Sequence, residues 1–378
     1  MVIERFKNDK RKTKLTALGM AGMLGLTGLF YGSLTSEDTT TTKTKLAEAN
    51  EYVYHETADG VYIGSALENV ITGEGTLYYF NGDTYEGQMV EELKCGQGKL
   101  VWSNGDVYEG AFADDEREGS GEMHWNNGNE YVGEFQDDLR DGTGTMSWNN
   151  GNSYSGEFDL DHLSGSGTYT YADGASYTGG FKNGQRSGEG TFSYTDGASY
   201  SGTWSNDVYN GKGTFVFADG SSLSGTFVEN EFTGNGSYTK SDENGTYEIA
   251  LTDGVPTGKI TATLKNGDVY KGTYTDKGFS GEVTINYSDG DYYSGEVSKG
   301  LKSGTGTYKW ASGEKYEGAW SNDMMNGQGT YYYTSASTPS LEGNFSKNKP
   351  SGTCTYHKSS TTSYKTTWKN GVCTGLSE

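Results

Sequence analysis

The sequence predicts an all-β chain. It reads as an elongated single-layer antiparallel β-meander of tandem hairpin repeats, preceded by one N-terminal hydrophobic helix of transmembrane length. Three observations predict it. A Gly-x-Gly opening recurs every 23 residues, at Gly73, Gly96, Gly119, Gly142, Gly165, Gly188, Gly211 and Gly234. It continues at Gly258, Gly281, Gly304, Gly327 and Gly352 with small slips, which makes thirteen units. Inside each unit the apolar residues alternate with polar ones, the mark of strands with one apolar face. An Asn-Gly or Asp-Gly pair such as Asn104-Gly105 or Asp173-Gly174 interrupts the alternation, a strong hairpin signal. A fixed period in a chain of 378 residues replaces the expectation of two or three globular domains with one array.

The amino terminus stands apart. Residues 1–14 hold six basic side chains, and residues 15–34 carry no charge. Twenty uncharged residues at helical rise span roughly 30 Å, enough for a bilayer core. The basic flank is expected in the cytoplasm and the array outside the membrane. Secretion after signal cleavage is the competing expectation, although the run is long and no small-x-small site follows closely. Residues 35–50 are a Thr-rich flexible linker. The array occupies 51–378, with a degenerate half-unit around Tyr62-Ile63-Gly64 at its start.

Counting each unit from its first glycine, apolar side chains fall at positions 5, 7, 13 and 17: Leu100, Trp102, Tyr108 and Phe112 in the Gly96 unit. All are odd positions. Partners in an antiparallel pair share a face, so paired positions must sum to an even number. A three-residue loop ending in a left-handed glycine satisfies this and pairs 7 with 11, 5 with 13 and 3 with 15. Position 3 then places Gly98 opposite Gly110, and the gap invites an aromatic ring to lie over it. Residues 234–297 break the rule: a longer polar turn precedes Gly245, and Ile249, Ile260 and Val283 stand where glycines are due. A local change of twist or a bend is expected there. The turns at Thr334–Pro339 and Ser359–Thr362 also depart from Asn-Gly.

The pattern Tyr108-Glu109-Gly110-Ala111-Phe112, a short linker, then Gly119-Ser120-Gly121-Glu122-Met123 resembles the MORN repeat. The resemblance covers about residues 62–375. It implies a slightly twisted antiparallel meander with one hairpin per repeat, extending on the order of 120 Å. It also implies roles in protein assembly, self-association and lipid contact.

Composition limits the function. A net charge of −22 argues against nucleic acid and against adhesion of the array to anionic lipid. The three cysteines, Cys95, Cys354 and Cys373, form no metal motif; a Cys354–Cys373 disulfide is conceivable. The Gly-x-Gly elements are followed by strand rhythm, so they are not phosphate cradles. The histidines are scattered, with His124 and His357 at position 6 on the polar face. The linker carboxylates, among them Asp114-Asp115-Glu116 and Asp137-Asp138, read as solvated charge that protects edges. Neither an enzyme, a cofactor nor a metal is expected.

The remaining candidate is the ring at position 7, a row of Tyr79, Trp102, Trp125, Trp148, Tyr171, Tyr194, Phe217, Tyr287, Trp310 and Tyr333. One sheet cannot bury both of its faces, so part of this row is expected to be exposed as an interaction surface. The sequence therefore reads as a membrane-anchored, non-catalytic scaffold at the cell surface that binds a protein partner or itself. The alternative is a module that binds cell-wall glycan or choline-like groups through the same rings.

Overall fold

The computed structural model describes residues 51–275 and 277–377. The basic flank, the hydrophobic segment 15–34 and the linker 35–50 lie outside the described residues. Among the described residues no helix is long and apolar enough to cross a membrane.

The described chain is all β, with 29 strands from Glu51–Glu56 to Val372–Ser377 in an open antiparallel meander. It divides into two compact units. The first takes the described residues up to Gly213 together with Phe227–Glu231. The second takes Thr214–Thr226 and the described residues from Phe232 on.

In the first unit the Gly96 repeat has the expected register. The strands Leu93–Val101 and Val107–Ala113 pair Gly98 with Gly110 and Leu100 with Tyr108. Gly105 has φ +93° and donates its N–H to the carbonyl of Trp102 at 2.9 Å. Trp102 in turn donates to the carbonyl of Asp106 at 2.9 Å. This is a type I turn closed by a glycine bulge, and its three-residue loop keeps every odd position on one face.

The link between repeats is also a hairpin turn. Ala113 pairs with Glu116 around Asp114 (φ 48°) and Asp115 (φ 74°), a two-residue type I′ turn. Asp and Asn tolerate this left-handed conformation and fill many of these turns, while Glu91-Glu92 and Leu160-Asp161 adopt it as well and Gly184 takes the second place in its turn. The register then slips between Gly110 and Phe112, and Gly119 (φ 70°) takes up the bulge. The slip returns the next Gly-x-Gly to the same face as the last.

The paired glycines form a floor for tyrosines. A Cβ at Gly98 would lie 2.4 Å from the Tyr85 hydroxyl, and one at Gly121 would lie 2.3 Å from that of Tyr108. From Tyr85 to Tyr200, each position-13 tyrosine therefore covers the position-3 glycine of the next repeat. Its hydroxyl donates to a carbonyl three residues ahead, Tyr85 to Gln88 (2.8 Å) and Tyr108 to Ala111 (2.9 Å). The rings then meet the position-17 phenylalanines edge to face, Tyr85–Phe112–Tyr108–Phe135–Tyr131, at 5.1–5.3 Å between centroids. Such pairs contribute about 0.5–1.5 kcal/mol each beyond area burial. A single sheet thus gains a core one ring thick.

In the second unit the irregular section keeps the meander but changes its packing. The expected longer turn is not formed: the extra residues lengthen the strands, Glu231–Ser241 running to 11 residues, and the loop tightens to two residues where Asp242 donates its N–H to the Gly245 carbonyl at 2.9 Å. Ile249 faces Ile260, and the buried Val283 sits opposite Gly272, so β-branched side chains fill the gap that a tyrosine covers elsewhere. Cys354 is buried on Lys349–His357 and Cys373 exposed on Val372–Ser377, with Ser363–Lys369 between them. Two strand spacings, about 9.6 Å, exceed the reach of a disulfide; both cysteines are free.

Candidate aromatic interaction face

Position 7 lies at the end of the first strand of each hairpin, where the type I turn begins, so its side chain stands at the rim of the apolar face. In the first unit Tyr79, Trp102, Trp125, Trp148, Tyr171 and Tyr194 are all half-buried. In the second, Tyr287 and Trp310 are half-buried and Tyr333 is exposed, but Phe217 is sealed at 2% exposure. Phe217 packs against Phe215 and Tyr238 and offers nothing to a partner, a correction to the expected row. The cause is its neighbours: large aromatics at position 5 close over the ring. The same closure begins at Trp148, which meets Tyr169 at 5.4 Å, and continues through Tyr171–Phe192 at 5.6 Å. Burial raises the phenols of Tyr171 and Tyr287, the latter to about 12.

A second ladder runs beneath the rings and was not read from the sequence. Residue 22 of a repeat reaches the second turn residue of the following one. Arg117 Nε lies 2.8 Å from Asp138 Oδ1, Arg140 Nε 2.7 Å from Asp161 Oδ1, and Lys94 Nζ 2.9 Å from Asp115 Oδ1. The same carboxylate oxygen accepts the backbone N–H of the basic residue, at 2.9, 3.0 and 2.8 Å. The arginines also stand over aromatic rings, Arg117 at 5.1 Å from the Phe135 centroid, Arg140 at 5.4 Å from that of Phe158 and Arg186 at 4.7 Å from that of Trp204. In the second unit Lys302 and Asp323 repeat the arrangement. Asp115, Asp138 and Asp161 are therefore staples between repeats, which corrects the reading of these carboxylates as merely solvated. The readable signal was the constant separation of 21 residues between a basic and an acidic position.

At the opposite rim the position-11 carboxylate does similar work. Asp83 accepts the N–H of Ser103 at 2.7 Å and Asp106 that of Asn126 at 2.8 Å. That donation holds the Asp83 carboxyl below its usual range, as Ser288 does for Asp268.

On the polar face two histidines have side-chain partners. His124 lies 2.9 Å from Glu122. His357 contacts Ser363 Oγ at 2.8 Å and Glu342 Oε2 at 3.2 Å beside a polar hollow of about 270 Å³. Ser363 is exposed and Glu342 is 63% exposed, so the contact lies open to solvent. Among the described residues no group of three or more His, Cys, Asp or Glu is placed to hold a metal ion.

The MORN repeat family model matches residues 62–84, 85–107, 108–130, 131–153, 154–176, 177–199, 200–222, 224–245, 293–315, 316–338 and 342–362. The unmatched stretch 246–292 is where β-branched residues replace the glycines. No curated protein sequence matches the chain. Among solved structures the chain is similar to the TCP domain of SAS-4 from Drosophila melanogaster (12% identity, TM-score 0.17, 58% of this chain and 86% of that one). It is also similar to virginiamycin B lyase from Staphylococcus aureus (10% identity, TM-score 0.13, 75% and 92%). TM-scores this low assign neither fold nor function.

Proposed function

The chain belongs to the MORN repeat family, and we propose that it is a non-catalytic scaffold that holds a protein partner along its position-7 rings. MORN repeats are generally scaffolds for protein or membrane interaction, and the family is typically non-catalytic. The observation that carries the reading is the recurrence of half-buried rings at one rim position of hairpin after hairpin. Apolar surface repeated along one rim usually marks an interaction site. Catalysis needs unlike groups converging on a pocket, whereas this array spreads like groups along a sheet.

The charge-free run 15–34 behind a basic flank supports attachment to a membrane, with residues 1–14 cytoplasmic and the array outside. In a chain of net charge −22 whose N-terminal flank is basic, the acidic array is repelled by anionic lipid, which leaves a protein as its partner.

Two measurements test this. A photo-crosslinking residue installed at Trp125 should capture a discrete protein in intact cells, and one at exposed Asp114 should not. Protease added to intact cells should digest the array and spare residues 1–14. No capture at Trp125 overturns the scaffold reading, and an array protected from protease overturns the topology. Binding to purified cell-wall glycan that is lost on Trp102, Trp125 and Trp148→Ala assigns the rings to sugar instead.

A further inference from the structure

We infer that the row Trp102, Trp125 and Trp148 receives a proline-rich, basic segment in the polyproline II conformation. The inference rests on the reading that this row is a contact surface, and it lies wholly within the first unit.

Spacing carries the first part of the argument. Successive position-7 rings are one repeat apart, hence two strands apart, which at ~4.8 Å per strand is about 9.6 Å. A polyproline II helix turns every three residues at ~3.1 Å each, about 9.3 Å per turn. Laid across the strands, it presents the same edge to each tryptophan in succession. Over two intervals the two periods drift apart by well under 1 Å. The α-helical pitch of ~5.4 Å and the strand dyad of ~6.7 Å fall out of step at the second ring.

The row is also open over these intervals. Position 5 of these repeats holds Met123 and Met146, each 3% exposed, in place of a ring. Among the described residues Trp102 and Trp125 contact no other ring, whereas Tyr169 closes the interval beyond Trp148. Aromatic-lined surfaces are what proline-rich helices dock onto.

The indole donors point the same way. The buried Trp204 donates its Nε1–H to the carbonyl of Gly190 at 3.0 Å. Among the described residues the indoles of Trp102, Trp125 and Trp148 donate to nothing, and none of the three nitrogens is sealed from solvent. A polyproline II backbone has no internal hydrogen bonds, and proline has a carbonyl but no N–H. Three free donors in a row complement such a chain of acceptors.

Charge selects the flanking residues. Between Gly73 and Gly213 acidic side chains outnumber basic ones several-fold. The nearby cations Lys94, Arg117 and Arg140 are already engaged by aspartates. Lysine or arginine interleaved with proline therefore suits this surface, while a neutral glycan gains nothing from its field.

The test titrates the full-length chain, followed by tryptophan fluorescence, with a peptide of six Pro-Pro-Lys triplets. The comparison ligands are six Gly-Ser-Lys triplets, of equal charge, and chitohexaose. The Pro-Pro-Lys peptide should saturate a spectral shift that neither comparison ligand produces. Trp125→Ala should weaken it by about tenfold or more, as loss of a central aromatic anchor does. Trp125→Phe, which keeps a ring and loses the donor, should fall in between and guards against a misfolded alanine variant. Tyr54→Ala, which removes a 73% exposed ring outside the position-7 row, should leave binding unchanged. Equal binding of Gly-Ser-Lys, preference for chitohexaose, or indifference to both Trp125 variants overturns the inference. A crosslinker at Trp125 that captures a partner without a proline-rich segment sinks this inference but not the scaffold; no capture sinks both.

Discussion

Replacing Gly98 by alanine isolates what the glycine floor contributes. Gly98 does not have a left-handed φ, so an alanine there is not strained by its backbone. The cost is steric: the new Cβ would stand 2.4 Å from the Tyr85 hydroxyl and 2.5 Å from its ring. Tyr85 is 0% exposed, donates to the Gln88 carbonyl at 2.8 Å and meets Phe112 edge to face at 5.3 Å. Displacing it forfeits about 1 kcal/mol for the hydrogen bond and about 1 kcal/mol for the ring pair. Overpacking adds about 1–3 kcal/mol, so the substitution should cost about 4 kcal/mol. Gly188→Ala is the complement. Its φ is +75° and nothing lies within 4 Å of its Cβ position, so only left-handed strain of about 1–2 kcal/mol applies. Each repeat contacts only its neighbours, so the loss should be local. Urea unfolding combined with amide exchange in Thr84–Val90 and Leu93–Val101 reads it. The reasoning fails if Gly98→Ala costs no more than Gly188→Ala. It also fails if Tyr85→Leu does not relieve the alanine in a double-mutant cycle.

Arg140→Ala removes a cation bonded to the side chain and carbonyl of Asp161, the latter at 3.1 Å, and should cost about 1–2 kcal/mol by urea unfolding. Asp161→Asn keeps an acceptor for the Arg140 N–H and should cost less. At alkaline pH, burial raises the phenols of Tyr108, Tyr131 and Tyr154 to about 12 from an ordinary value near 10. The unfolded chain then releases protons first, so stability is full below pH ~10 and falls between ~10 and ~12. Melting temperature against pH should show that decline, and tyrosinate absorbance should rise together with unfolding. At acid pH the sign reverses for Asp83: its lowered carboxyl stabilises the fold above pH ~4, and that contribution disappears as the pH falls through the folded value. Asp83→Asn should flatten the acid limb of the same melting curve.

Local rules made much of this fold legible in the sequence. Period-2 apolar residues on odd positions required an even pairing sum, and that requirement alone selected the three-residue loop around Gly105 and the Gly98–Gly110 pair. The type I′ turn at Asp114-Asp115 was less legible, because two aspartates read first as charge and only second as residues that tolerate positive φ. The staple from Arg140 to Asp161 joins positions in different repeats. It shows only when basic and acidic residues are compared across the period, not within a motif. The burial of Phe217 was hidden because exposure of one position depends on the bulk of another.

That dependence decides where the aromatic row is available. Position 5 holds Leu100, Met123 and Met146 in three successive repeats, then Tyr169, Phe192 and Phe215. Among the described residues no ring contacts Trp102 or Trp125, whereas Tyr169, Phe192 and Phe215 contact the position-7 rings Trp148, Tyr171 and Phe217. Tyr169→Met tests this without any ligand. It removes the contacts to Trp148 (5.4 Å) and Tyr171 (4.7 Å), together with the hydrogen bond from Asn152 Nδ2 at 2.9 Å. Stability should fall by about 1–3 kcal/mol. The collisional quencher acrylamide should reach Trp148 more readily, measured in a chain whose other tryptophans are replaced by phenylalanine. If quenching of Trp148 is unchanged, position 5 does not control the opening, and the difference between the Trp102–Trp148 intervals and those beyond has another cause.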